Sequence, residues 1–148
     1  MNSTDLLQIV SSLGGLLVAV AGFGLVIYQI HQVKHAIYGD THSKLYSEDF
    51  EWVKIFLDHP EIRPYFYANK EITEMDSDYP LTLTVAELLA SHFEHVVLQM
   101  ENLPTHISPR WEDYIKGLYK TSPIIRKHLT EKSSWYSKKL FTILTTQK

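Results

Sequence analysis

From Ile9 to Ile30 the chain reads IVSSLGGLLVAVAGFGLVIYQI, and no charged side chain occurs between Asp5 and Lys34. A helix of this length exceeds the ~20 residues needed to cross the hydrocarbon core of a bilayer. A chain of 148 residues has room for about one domain, and so small a core does not enclose an apolar helix this long on every side. The run is therefore expected to be a transmembrane helix. A removable signal peptide would carry a basic leader, a shorter apolar core and a small-residue cleavage site. Here the leader is MNSTD, and the exit passes through Tyr28, Gln29, His31, Gln32, Lys34 and His35.

Positive charge beside a span favours the cytoplasmic side. Lys34 and Lys44 follow the run, whereas Asp5 precedes it. The expected layout is an anchor over residues 1–39 and a cytoplasmic domain over 40–148, held by a single pass in the inner (cytoplasmic) membrane with the N-terminus outside. Gly39-Asp40 is read as the break between them, because glycine suits a helix C-cap and Asp40 or Thr41 suits an N-cap.

Within the span, Ser12, Gly15, Ala19 and Gly22, followed by Val26 and Gln29, recur at alternating steps of three and four. Lipid provides little hydrophobic drive between helices, so association depends on close backbone approach, which small side chains permit. A repeat of 3.5 residues predicts a left-handed bundle of several copies.

The remainder reads as an all-α bundle, since no segment alternates apolar and polar residues over any length. Tyr46, Phe50, Val53 and Leu57 form a helical stripe over 44–58, widened by Trp52, Ile55 and Phe56, and Pro60 ends it. A short turn or helix over 60–66 and an acidic loop over 68–80 follow. The strongest soluble helix spans 81–102, with Val85, Leu88, Leu89, Phe93, Val96 and Met100 on one face and Glu87, Glu94 and Glu101 repeating every seven on another. Ser108-Pro109 and Ser122-Pro123 each resemble an N-cap with a first-turn proline, for helices carrying Trp111, Ile115 and Leu118 and then 124–131. Ser133 or Ser134 is expected to cap a last helix with Tyr136, Leu140, Phe141 and Leu144.

Taken together, HPEIRPYFY at 59–67, ASHFEHVVLQ at 90–99, WEDYIKGLYKTSPIIR at 111–126 and Trp135-Tyr136 resemble a group of uncharacterised bacterial proteins. In that group a single membrane span precedes a small helical domain. The layout is also similar to membrane-anchored accessory proteins of bacterial antiviral systems, CRISPR-associated ones included. The resemblance implies a fold and an anchor, and it carries no catalytic residue.

The chain has no cysteine, which removes thiolate catalysis, disulfides and Cys-ligated metals. Glycine-rich phosphate loops, a G-x-S-x-G elbow and an H-E-x-x-H helix are absent, and none of Arg63, Arg110 and Arg126 is followed by His four to six residues later. The expected function is thus non-enzymatic, with no cofactor and no catalytic residue. Two histidine pairs stand out: His92 and His95 at i, i+3, with Glu94 between them and Glu87 a turn or two earlier, have the spacing of a metal pair but lack further nameable ligands. His31 and His35 stand at the membrane exit, where solvation is the default and pH sensing the alternative.

Charge is uneven. Residues 40–113 hold five basic and fifteen acidic side chains, a net of −10, whereas 114–148 hold eight basic and one acidic, a net of +7. Lys132, Lys138 and Lys139 form the expected basic contact surface, suited to anionic lipid, to nucleic-acid phosphates beside Trp135 and Tyr136, or to the acidic half of the same or a neighbouring subunit. The leading expectation is a membrane-anchored module that assembles into a homo-oligomer through its transmembrane helix and its helical domain, an oligomeric pore or defence accessory among its forms. The alternative is an anchor that docks a cytoplasmic protein or anionic ligand. A pore would be hydrophobic, because between Ser12 and Tyr28 nothing is more polar than glycine.

Overall fold

The computed structural model describes residues 3–146, and for 4–7, 9 and 10 the backbone alone, so the Asp5 flank lies outside the described side chains. Among the described residues helix predominates and no strand occurs, so the protein is all-helical. Six helices follow in order: α1 (Ser3–Asp58), α2 (Pro64–Tyr67), α3 (Tyr79–Gln99), α4 (Ser108–Thr121), α5 (Pro123–Glu131) and α6 (Lys138–Thr145). Single 3-10 turns occupy Pro60–Ile62, Met100–Asn102 and Ser133–Trp135.

By contacts the chain divides into two units, Met1–Gly39 and Asp40–Lys148. The described residues of the first, from Ser3 on, are all helical. Between Leu13 and Ile30 its large apolar side chains are exposed on every side, with Phe23 at 73% and Val18 at 74%.

The expected helix break at Gly39-Asp40 does not occur, because α1 continues through it. Neither residue takes a positive φ, and Asp40 instead pairs with Lys44 one turn on, at 2.8 Å. Glycine inside a helix costs only about 1 kcal/mol, which long helical flanks outweigh.

In the second unit, prolines mark the starts of helices. Pro60, Pro64, Pro80, Pro109 and Pro123 each lie in a first turn, where a missing N–H leaves no bond unmade. Asn69 takes the left-handed conformation (φ 51°) after α2, where its N–H donates to the Thr121 carbonyl at 2.9 Å.

α3 is the central element, packed against α5 and α6, with α4 also against both and α2 against α4 and α5. Val85, Ala86, Leu89, Ala90, Phe93, Val96 and Val97 of α3 are buried, with Phe66, Ile115, Ile125, Leu129 and Leu140 opposite. Each large side chain so buried contributes about 1.5–3 kcal/mol against solvent exposure. Leu88, expected on this face, is 43% exposed, since Leu89 occupies the inward position.

A second correction concerns the end of α1. Leu45 and Phe56 are buried and Trp52 and Ile55 half-buried, whereas Phe50 is 65% and Leu57 73% exposed, with Tyr46 and Val53 also outward. The stripe with the cleaner spacing faces out, and the residues thought merely to widen it face the core. Two cap expectations fail similarly. Ser108 Oγ donates to the Met100 carbonyl at 3.1 Å instead of capping α4, and Ser137, not Ser133 or Ser134, caps α6 by accepting from Leu140 N–H at 3.3 Å. Ser122 does cap α5, accepting from Ile125 N–H, and its hydroxyl donates to the Tyr65 carbonyl at 2.9 Å.

Candidate functional site

Where the last turns of α1 cross α3 and α4, polar and aromatic side chains gather within the second unit. Glu48 presents Oε2 to both histidines of the α3 pair, 3.1 Å from His92 Nδ1 and 3.3 Å from His95 Nδ1. A carboxylate only accepts, so both rings donate through Nδ1–H, leaving Nε2 of His92 as an acceptor. That Nε2 is buried with no hydrogen-bond partner, as is Trp52 Nε1. Burial holds the His92 pKa below its ordinary value, against the opposing pull of Glu48 and Asp49.

An aromatic cluster adjoins it. Trp111 is buried, with ring centroids 5.7 Å from Tyr46, 5.9 Å from His92 and 5.9 Å from Tyr114, all at steep angles. Such edge-to-face pairs add about 0.5–1.5 kcal/mol each beyond area burial. Burial, Tyr67 and Asp49 all push the Tyr114 phenol far above its ordinary pKa, so it remains a hydrogen-bond donor. Beside these rings lies a cavity of about 210 Å³ lined by Tyr46, Asp49, Ile107, Arg110, Trp111 and Tyr114.

A second cavity, about 250 Å³, is lined by Glu71, Ile72, Pro123, Ile124, Arg126 and Lys127. Its cations already serve the fold. Arg126 donates to the Tyr119 and Lys120 carbonyls at the end of α4 and to Asn69 Oδ1, while Lys127 donates to the Tyr79 hydroxyl.

The residues singled out from the sequence fall in separate places. His92 and His95 do come together, but around Glu48 rather than Glu87 or Glu94, and no group of three His, Cys, Asp or Glu suited to a metal ion occurs among the described residues. His31 and His35 face each other in the first unit, Nε2 to Nε2 at 3.3 Å. Ser12, Gly15, Ala19 and Gly22 are all exposed on α1, the Ser12 hydroxyl donates to the Gln8 carbonyl, and a Cβ at either glycine would meet nothing within 4 Å.

The basic residues are partly engaged within the chain. Lys139 Nζ is 3.0 Å from Glu101, and Lys132 stands over the Trp135 ring at 5.0 Å. Glu94, of the same acidic row, accepts from Ser137 N–H and Oγ–H at the start of α6. Trp135 is 60% exposed, while the Tyr136 hydroxyl is 2.8 Å from His128 Nε2. Glu48 and the joining of Tyr46 to Trp111 and Tyr114 were not found from the sequence, because Glu48 lies 44 residues from His92 and Tyr46 still farther from Trp111, so no local spacing joins them.

No family model, curated protein or solved structure matches the chain. Function is therefore read from its own residues.

Proposed function

We propose that this chain is a non-enzymatic, membrane-anchored module that assembles with copies of itself through α1. The observation that carries this reading is the exposure of apolar side chains on every side of α1 from Leu13 to Ile30, without a charge among them. In water such a surface is strongly unfavourable, and in hydrocarbon it is solvated. The other long apolar helix, α3, is half-buried along its most apolar stretch and belongs to the core of the second unit.

The row Ser12, Gly15, Ala19, Gly22 gives a second copy a place for close backbone approach. Lys34 and Lys44 favour a single pass with the N-terminus outside and the second unit in the cytoplasm. The exposed row Tyr46, Phe50, Val53 and Leu57 favours a second reading, in which the cytoplasmic unit docks a protein partner.

Light scattering on the detergent-solubilised chain tests the assembly. Gly15→Leu and Gly22→Leu should each lower the particle mass. A parent chain already at monomer mass, or variants that keep the parent mass, would refute assembly through the row. Extraction of the chain from membranes by alkaline carbonate would refute the anchor itself.

A further inference from the structure

The cavity beside Trp111 has no part in anchoring. At about 210 Å³ it is smaller than the ~300–1,000 Å³ of pockets for drug-sized ligands, so it suits a small head group. Half of its lining residues are aromatic, and the ring planes turn by 69° from Tyr46 to Trp111 and by 76° from Trp111 to Tyr114. An alkylated ammonium group that enters a cavity lined by aromatic rings is attracted to their faces by the cation–π interaction.

Two opposite charges complete the wall. Asp49 comes from α1 and Arg110 from the first turn of α4, so the lining is neutral overall but dipolar. A simple cation meets Arg110 and a simple anion meets Asp49, each unfavourably. A ligand carrying both charges a few bonds apart satisfies both. Guanidinium groups favour phosphate and carboxylate.

We propose that this cavity binds a small zwitterionic alkylammonium phosphate ester, its ammonium group among Tyr46, Trp111 and Tyr114 near Asp49 and its phosphate at Arg110. The same chemistry occurs free in solution and on the head groups of zwitterionic lipids. The inference does not rest on the anchoring reading, because every lining residue belongs to the second unit.

Titration calorimetry of the full chain in a maltoside detergent, with phosphocholine as the probe, tests it. Saturable binding of one phosphocholine per chain is expected. The carbon isostere 3,3-dimethylbutyl phosphate, which lacks the positive charge, should bind at least about fivefold more weakly, as should choline and inorganic phosphate alone. Tyr46→Leu should weaken phosphocholine about two- to fivefold, the range of one exposed cation–π contact. Asp49→Asn and Arg110→Gln should weaken it further, while Trp135→Leu, outside the cavity, should leave it unchanged.

Absence of saturable heat, an isostere that binds as tightly as phosphocholine, or Asp49→Asn and Arg110→Gln that bind like the parent would each overturn the proposal. Should a variant lose its helical circular dichroism, the isostere comparison on the unaltered chain decides. Nanodiscs separate the two sources. Weaker apparent phosphocholine binding in phosphatidylcholine than in phosphatidylglycerol discs supports the site with a lipid head group as occupant, and equal binding supports it with a dissolved one.

Discussion

Glu48 of α1 meets the buried His92 of α3 at 3.1 Å, through the only ring nitrogen of His92 that has a hydrogen-bond partner among the described residues. This contact, with the one to His95, ties the end of the long helix to the centre of the bundle. It also accounts for the orientation of that end. With Glu48 turned toward α3, positions 45, 52 and 56 turn inward with it and 46, 50, 53 and 57 turn out.

Removing the carboxylate leaves His92 buried without a partner on either nitrogen. Hydrogen bonds to charged groups contribute about 1.5–3 kcal/mol, so Glu48→Ala should lower unfolding stability by about that amount. Chemical denaturation followed by circular dichroism checks it. A loss no larger than that of an exposed control, Glu51→Ala, would show that the bond contributes nothing.

The same site makes stability depend on pH. The folded-state pKa of His92 lies below its ordinary 6.5, chiefly through burial, with Glu48 and Asp49 pulling it up and His95 pushing it down. Burial lowers that of His128 as well. Below 6.5 the unfolded chain therefore binds more protons than the folded one, and stability falls as pH drops from there toward the folded values. Thermal melts between pH 7.5 and 5 should show a falling midpoint, with a smaller fall in His92→Asn. An equal fall in that variant would remove His92 from the account.

Two phenylalanines on α1 report which way the helix faces. Phe56 is buried and meets Phe66 with ring centroids 5.2 Å apart, while Phe50 is 65% exposed. Phe56→Ala should cost about 3–5 kcal/mol and Phe50→Ala about 0.5 kcal/mol or less. The reverse order in denaturant melts would restore the stripe that the spacing alone suggests.

Ser137 combines a cap with a tertiary link, accepting from Leu140 N–H and donating to Glu94. Ser137→Ala should cost about 0.5–2 kcal/mol. Its effect should be non-additive with Glu94→Ala in a double-mutant cycle. Strict additivity would mean that Glu94 and Ser137 stabilise the bundle independently.

Changing Lys132, Lys138 and Lys139 to Glu tests the basic surface. Because Lys139 and Glu101 are exposed, their pair contributes little to folding, so the melting midpoint should hold nearly constant. Loss of binding to anionic liposomes or nucleic acid would identify an external partner, and loss of particle mass a subunit contact. If the variant retains both, the lysines are a solvated face.

The sequence by itself determined the elements. A long charge-free run, prolines at first turns and seven-residue repeats are local facts, and local spacing decides where a helix starts, where it stops and how apolar it is. That is why the all-helical fold, the stop at Pro60, the burial of Val85, Leu89, Phe93 and Val96 and the Ser122 cap were all legible. Spacing does not reveal which of two adjacent apolar stripes will find a partner. Tyr46, Phe50, Val53 and Leu57 repeat at helical spacing, yet the burial of Leu45 and Phe56 turns them outward. The break at Gly39 failed for a related reason, since a glycine that can end a helix does so only when the chain beyond it must change direction. Only the tertiary structure brought Glu48 to His92 and His95, Glu94 to Ser137, and Tyr46 and Asp49 to Arg110, Trp111 and Tyr114. Those groups lie some 40 to 70 residues apart, and nothing in the local sequence couples them until the packing of α1, α3, α4 and α6 does.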